Sequence, residues 1–449
     1  MIRLVLILQI AQSILHASDA KVLLHKNIEE SGGGDDDGLR ESFRRYIGFK
    51  RTKLQKRSIG TWEELGLVND NFGAMFCGWN GIKCTVKMRI DHQYLVDSLL
   101  LPERWTAKRF AAVRSWREEL LGPKSLKKNI SRPIFWIPLS IHNGKLENLV
   151  AFFEYIVFKF LVPDTTIKSF TLLTLPFPIG EHGSPWERHQ YGAVATAYSD
   201  FNITSSEEYL RRYLQIPKLA AWFILCHSPL PDEPKIKSIA DGSRWILHRK
   251  LRQIPIGVSH NAAHAGFLDA WNAPLKPRDK LLYINFRYHA HRKQAAQAVI
   301  HSFRAFGLDN EYPITHLNCS ALDPLQNSPP QQNTQPACDV QRTYYSDILR
   351  SRFVLSPPGS KLDCHRHWEI LMLGAIPIIL RSPPLIEMFA GLPVLFVSDW
   401  SEVTPARLMT EAVHIYSIFN YDWRPLTVTY WRHQIWQAAG GHVNDDNST

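Results

Sequence analysis

No zinc-type C-x-x-C pair, no P-loop and no G-x-G-x-x-G turn occurs anywhere in these 449 residues. Their absence excludes the usual zinc ribbons, Walker-type phosphate cradles and the dinucleotide fingerprint. The "GSK" at Gly359–Lys361 looks like a P-loop ending, but the G-x-x-x-x-G-K-[ST] order is missing. No short internal repeat appears, which excludes a solenoid. No apolar run comfortably reaches the roughly 20 residues that a bilayer-spanning helix needs. Leu4–Leu15 is too short and is interrupted by Gln9 and Gln12, while "NLVAFFEYIVFKFLV" carries Glu154 and Lys159 and reads as a core helix.

What is present describes a globular protein. Hydrophobic residues make up 45% and charged residues 21%, enough to build a core, and the length suits two ordinary domains. The net charge of +10 favours anionic partners such as nucleotides or acidic glycans, and says nothing about fold. Arg3, the apolar stretch after it and the small residues Ala17, Ser18 and Ala20 form a signal-peptide pattern over residues 1–20, with a short signal-anchor as the alternative. Membrane association is expected only if that segment stays uncleaved. Six cysteines and N-x-S/T triplets at Asn129, Asn202, Asn318 and Asn447 agree with a secretory route and an oxidising compartment. Cys77 with Cys84 and Cys319 with Cys338 bracket local loops, and Cys226 and Cys364 are left to pair or stay free.

Residues 21–60 are Gly/Asp-rich, then basic, without apolar periodicity, and read as a flexible stem. From 61 to 270 short apolar runs, "RPIFWIPLS", "SFTLLTLPF", "LAAWFILCHS" and "LRQIPIG", alternate with helical segments. A second alternation runs from 271 to 405 through "LLYINF", "HRKQAAQAVIHSFRAFG", "TYYSDILRS", "RFVLS", "IPIIL" and "PVLFV". Thr404-Pro405 marks a helix start, and residues 406–449 form a helical tail. The expected fold class is α/β, with two mainly parallel sheets.

The stretch "SPPGSKLDCHRHWE" lies between a strand, "RFVLS", and a helix. Ligands of open α/β sheets bind beyond the C-terminal ends of the strands, where this loop falls. Gly359 lets the backbone approach a ligand, and Asp363 suits the N-cap of the helix. The first-turn amides of Cys364, His365 and Arg366 then form an anion site, to which Arg366 adds a fork suited to phosphate. Glu369 lies three residues after Arg366 and four after His365 on one helical face. A carboxylate there suits ribose hydroxyls rather than phosphate; the plain alternative is an Arg366–Glu369 surface ion pair. Phosphate at the helix start and ribose one turn on describe a nucleotide.

The pattern P-x-G-x-x-x-D-x-x-R-x-W-E-x-L-x-x-G-x-I-P-I, followed by "LPVLFVSDWSEVT", resembles the donor half of exostosin-like glycosyltransferases. "LLYINF" and "LRQIPIG" resemble further strands of that family. The resemblance implies a GT-B fold: two Rossmann-like domains facing across a cleft, with a C-terminal helix returning to the first. It implies inverting transfer from a nucleotide sugar, usually a UDP-sugar, to a glycan or glycoprotein acceptor in the Golgi lumen or a related secretory compartment, or outside the cell if the signal is removed. Carried over by motif, Gly359, Ser360 and the first-turn amides, including that of His365, hold the diphosphate. Arg366 neutralises it, Glu369 holds the ribose, and Ser382 and Pro383 border the base or sugar. With a cationic helix end in place of a metal, neither metal nor cofactor is expected.

An inverting transfer also needs a base for the acceptor hydroxyl. Glu181, His182 and His189 follow the strand "SFTLLTL" and are the candidates, with His142 and His227 as rivals. Leu175-Pro176 departs from the acidic residue that the family often carries near there. Two other classes stay open. One is a non-catalytic relative; the other is a binder of acidic glycans through Arg44, Arg45, Lys50, Arg51, Lys53, Lys56 and Arg57. Nucleic acid is a poor fit to a signal peptide and sequons.

Overall fold

The computed structural model describes residues 39–40, 42, 98–100, 107–116, 131–137, 150–174, 212–225, 249–258, 266–274, 277–286, 290–305, 340–359, 362–418 and 420–440. The first sheet has five parallel strands in the order β1-β2-β3-β4-β5. They are β1 (Ser98–Leu100), β2 (Ile134–Ile137), β3 (Phe170–Thr174), β4 (Leu219–Leu225) and β5 (Leu251–Ile254). Helix α1 (Ala107–Ala111) and a π-helix (Phe153–Leu161) lie between strands in the chain. Helix α2 (Phe267–Asn272) then leads to the second sheet and spans the expected boundary at residue 270.

The second sheet has four parallel strands, β6 (Lys280–Tyr283), β7 (Ser351–Leu355), β8 (Ile376–Leu380) and β9 (Leu395–Val397), in the order β6-β7-β8-β9. With it come helices α3 (Ala290–Ala305), α4 (Val340–Arg350), α5 (His365–Met372), α6 (Pro383–Met388), α7 (Pro405–Tyr416) and α8 (Val428–Ala438). Parallel strands covered on both faces read as continuous apolar runs, and β3 and β8 are buried along their whole length. The architecture is α/β, as expected.

Aromatic side chains fill the first core. Phe153 stacks on Tyr213 with ring centroids 3.9 Å apart, and Phe152 and Phe170 meet the edge of Phe135. "VAFFEYIVFKFL" is helical and buried as its pattern demands, but widened. The Val162 amide reaches back five residues to the Val157 carbonyl at 2.8 Å. Lys218 closes the end of that π-helix, its ammonium donating to the carbonyls of Leu161, Val162 and Asp164. Among the described residues no helix is long and apolar enough to cross a membrane.

One finding departs from the expected organisation. Leu39 and Arg40, inside the stretch read as a flexible stem, are buried at 3% and 1% exposure. Arg40 Nη2 donates to the carbonyls of Ala270, Trp271 and Ala273, which belong to the C-terminal end of α2, and the Trp423 indole donates to Ser42. An arginine inside a polar tract reads as solvated until its acceptors, some 230 residues away, are placed. The helical tail behaves as the resemblance implies: α8 packs on β4, and the Arg132 guanidinium donates to the Gly440 carbonyl beside it. The tail therefore returns to the first sheet.

Candidate nucleotide site

Strand β7 ends at Leu355, and its sequel, Ser356–Cys364, leads into α5 at the C-terminal edge of the sheet. Ser356 spends its amide on the Ile378 carbonyl at 3.0 Å. Its hydroxyl lies 2.7 Å from His367 Nδ1, while His367 Nε2 lies 3.1 Å from the Leu362 carbonyl. A carbonyl can only accept, so Nε2 carries the proton and Nδ1 accepts from Ser356. Full burial pushes the His367 imidazole down to about 4, so the ring is neutral and ties the two ends of the loop together. From α3, buried Arg292 donates its Nε to the Pro358 carbonyl at 2.9 Å.

Asp363 does not cap α5. The N-cap is Cys364, extended at φ −143°, and its side chain makes no cap bond, so it leaves the first-turn amides of His365 and Arg366 open. Asp363 instead turns inward and is 2% exposed. One oxygen accepts from the Trp368 indole at 2.8 Å and the other from the Ile256 amide at 2.7 Å. Burial pushes its carboxyl up to about 7, against the pull of His367 and these donors. The Cys364 thiol is free and lies 3.6 Å from both His367 nitrogens.

Ile256 belongs to the loop after β5, so the first sheet reaches the start of α5 directly. His365 Nδ1 lies 2.8 Å from the Gly257 carbonyl and must donate to it. Gly257 has φ +67°, a conformation that suits glycine. Helix α5 therefore begins against a loop of the other half.

Arg366 Nε and Nη1 are buried and have no hydrogen-bond partner, although the guanidinium carbon sits 5.5 Å from the Phe286 ring centroid. Burial opposes the charge, yet Tyr344, Cys364 and Glu369 nearby hold the Arg366 proton more tightly than usual. Glu369 is 6% exposed and faces Tyr344 and Tyr345 of α4, whose hydroxyls are pushed up by burial and then by that carboxylate. Ser382, N-cap of α6, is 1% exposed with an unpartnered hydroxyl, and Pro383 follows it, exposed, at the first helical position.

Gly359, His365, Arg366, Glu369, Ser382 and Pro383 all follow strands β7 or β8 at one edge of the second sheet. Ser360 and the base candidates Glu181, His182 and His189 lie outside the described residues, as do Cys77, Cys84, Cys226, Cys319, Cys338 and the four sequons. Sequence reasoning missed Arg292, His367, Tyr344, Tyr345 and the Ile256–Gly257 contact. Only the position of Arg292 at the start of a helix after "LLYINF" offered a local signal.

The chain has a cationic helix start without a side-chain cap beyond a parallel strand, and helix starts of this kind favour anions. No protein-family model matches the chain. It is similar to ribitol-5-phosphate xylosyltransferase 1 of Danio rerio, 21% identical over 174 residues, covering 36% of this chain and 37% of that protein. The Mus musculus protein of the same name is 26% identical over 185 residues, covering 38% of each. The chain thus spans well under half the length of these relatives, and they are glycosyltransferases by name.

Proposed function

We propose that this chain is an exostosin-like glycosyltransferase of GT-B type, transferring a sugar from a nucleotide sugar to a glycan or glycoprotein acceptor with inversion and without a metal. The observation that carries the proposal is Arg366: two buried guanidinium nitrogens without partners, on the open first turn of α5. Buried donors left unmade are costly, each by about 1–3 kcal/mol, and a diphosphate would satisfy them. The relatives' names add the donor and acceptor class to test first, a nucleotide-activated xylose and ribitol 5-phosphate. The return of α8 to β4 supports the GT-B arrangement.

In this mechanism the Gly359 and first-turn amides, with Ser360, hold the diphosphate. Arg366 stabilises the negative charge it gains as the bond from its oxygen to the anomeric carbon breaks. Glu369 accepts from the ribose hydroxyls, and Ser382 and Pro383 border the base or sugar. The acceptor oxygen attacks the anomeric carbon from the opposite face and gives its proton to a base, for which Glu181, His182 and His189 are the candidates. Groups fixed before the charge develops stabilise it most effectively.

The test is thermal stability of the secreted chain titrated with UDP, GDP, CDP, CMP and ADP, with and without EDTA, in wild type and Glu369→Ala. At about 100 times Kd, binding should add roughly 2.7 kcal/mol. A shift with UDP, lost in the variant and indifferent to EDTA, supports the donor site. Indifference to every nucleotide would refute it, and transfer from UDP-xylose to ribitol 5-phosphate is the assay that follows a positive result.

A further inference from the structure

The donor loop has few amides to offer. Ser356 has spent its own on Ile378, and Pro357 and Pro358 have none. Gly359 therefore supplies the first backbone N–H free of the strand. A trans peptide is planar, so the Gly359 N–H points opposite to the Pro358 carbonyl. Arg292, 8% exposed in the first turn of α3, holds that carbonyl by Nε at 2.9 Å. It pulls the oxygen towards α3 and turns the N–H to the other side of the loop. His367 acts in the same sense at the far end, where Leu362 and Asp363 share a peptide.

We propose that Arg292 is a positioning residue for the donor diphosphate, acting through the Pro358 carbonyl to aim the Gly359 amide. The inference rests on the donor-site reading above, and extends it to a residue that need not touch the ligand. Arg292 belongs to α3, outside the loop, so this peptide is anchored from another element. A guanidinium bond to a carbonyl is charge-assisted and stronger than a neutral one.

The experiment compares Arg292→Met, Arg292→Lys and wild type, using whichever of UDP, GDP, CDP and ADP raises the wild-type melting temperature, and the corresponding nucleoside. For Arg292→Met the affinity for the diphosphate should fall roughly 10- to 100-fold, with that for the nucleoside unchanged. Arg292→Lys, which keeps a cationic donor, should recover part of it. Gly359→Pro removes the same N–H without touching Arg292 and should reproduce the diphosphate-selective loss, which covers the case of a poorly folded Arg292→Met. Equal losses for diphosphate and nucleoside would mark Arg292 as merely structural and overturn the proposal. So would binding that is indifferent to Arg292→Met while remaining sensitive to Arg366→Ala. A wild-type chain that binds no nucleotide would overturn the donor site together with this role.

Discussion

Asp363 and His367 sit four residues apart, both buried, with their protons held in opposite senses. The folded Asp363 carboxyl keeps its proton up to about 7, whereas an unfolded one loses it near about 3.9. Across that interval the folded state holds the extra proton, so this residue makes stability fall as pH rises. Asp363→Asn should remove that slope, although it also loses an acceptor for Ile256 or Trp368. Between about pH 4 and 7 its stability relative to wild type should climb by up to about 1.4 kcal/mol per pH unit, read from urea unfolding at several pH values. A pH-independent difference would contradict the raised carboxyl. At Arg366 stability and function pull apart. Arg366→Met, which removes buried unsatisfied donors, should leave the ligand-free melting temperature unchanged or higher while abolishing the nucleotide-induced shift. Parallel losses of both would count against a ligand-facing role.

Helix and strand identities were largely legible, because the strands are short apolar runs closed by proline or glycine. The Thr404-Pro405 start is borne out, with the Thr404 hydroxyl accepting from the Arg407 amide at 3.2 Å. What failed was the start of α5, off by one residue. Asp is a good cap by type, but its carboxylate is claimed by an amide 107 residues away, which no local pattern records. The end of α5 is equally particular. Gly374 has φ +75°, and a Cβ added there would lie 2.5 Å from Arg40 Cβ and 3.0 Å from Arg278 Nη2. Arg278 donates to the carbonyls of Ile348, Ser351 and Leu373, gathering the ends of α4 and α5 and the start of β7. Gly374→Ala should therefore cost about 1–3 kcal/mol in backbone strain alone, plus the displacement of Arg40, and lower the melting temperature. Retention of the wild-type melting temperature would show that the close approach is not needed.

Across the whole molecule, three separate segments join the halves: Asp363 with Ile256 and His365 with Gly257 at the site, α8 on β4, and α2 between the sheets. The two-sheet plan was readable from alternation. The join at the site was not, since Asp363 with Ile256 and His365 with Gly257 are polar contacts between segments distant in sequence. The buried Arg40 is the plainest case, and a chain beginning at residue 43 should melt several degrees below one beginning at residue 35; equal melting would make the contact incidental. Arg40 and Ser42 are held by contacts across space, to Ala270, Trp271, Ala273 and Trp423, as well as by the chain. Covalent continuity with the first sheet is then not what keeps them in place. A short peptide spanning residues 35–45, supplied in trans to the chain that begins at residue 43, has a ready-made receptor at the end of α2, so the two pieces should behave as a complementing pair rather than as a truncated protein and a by-product.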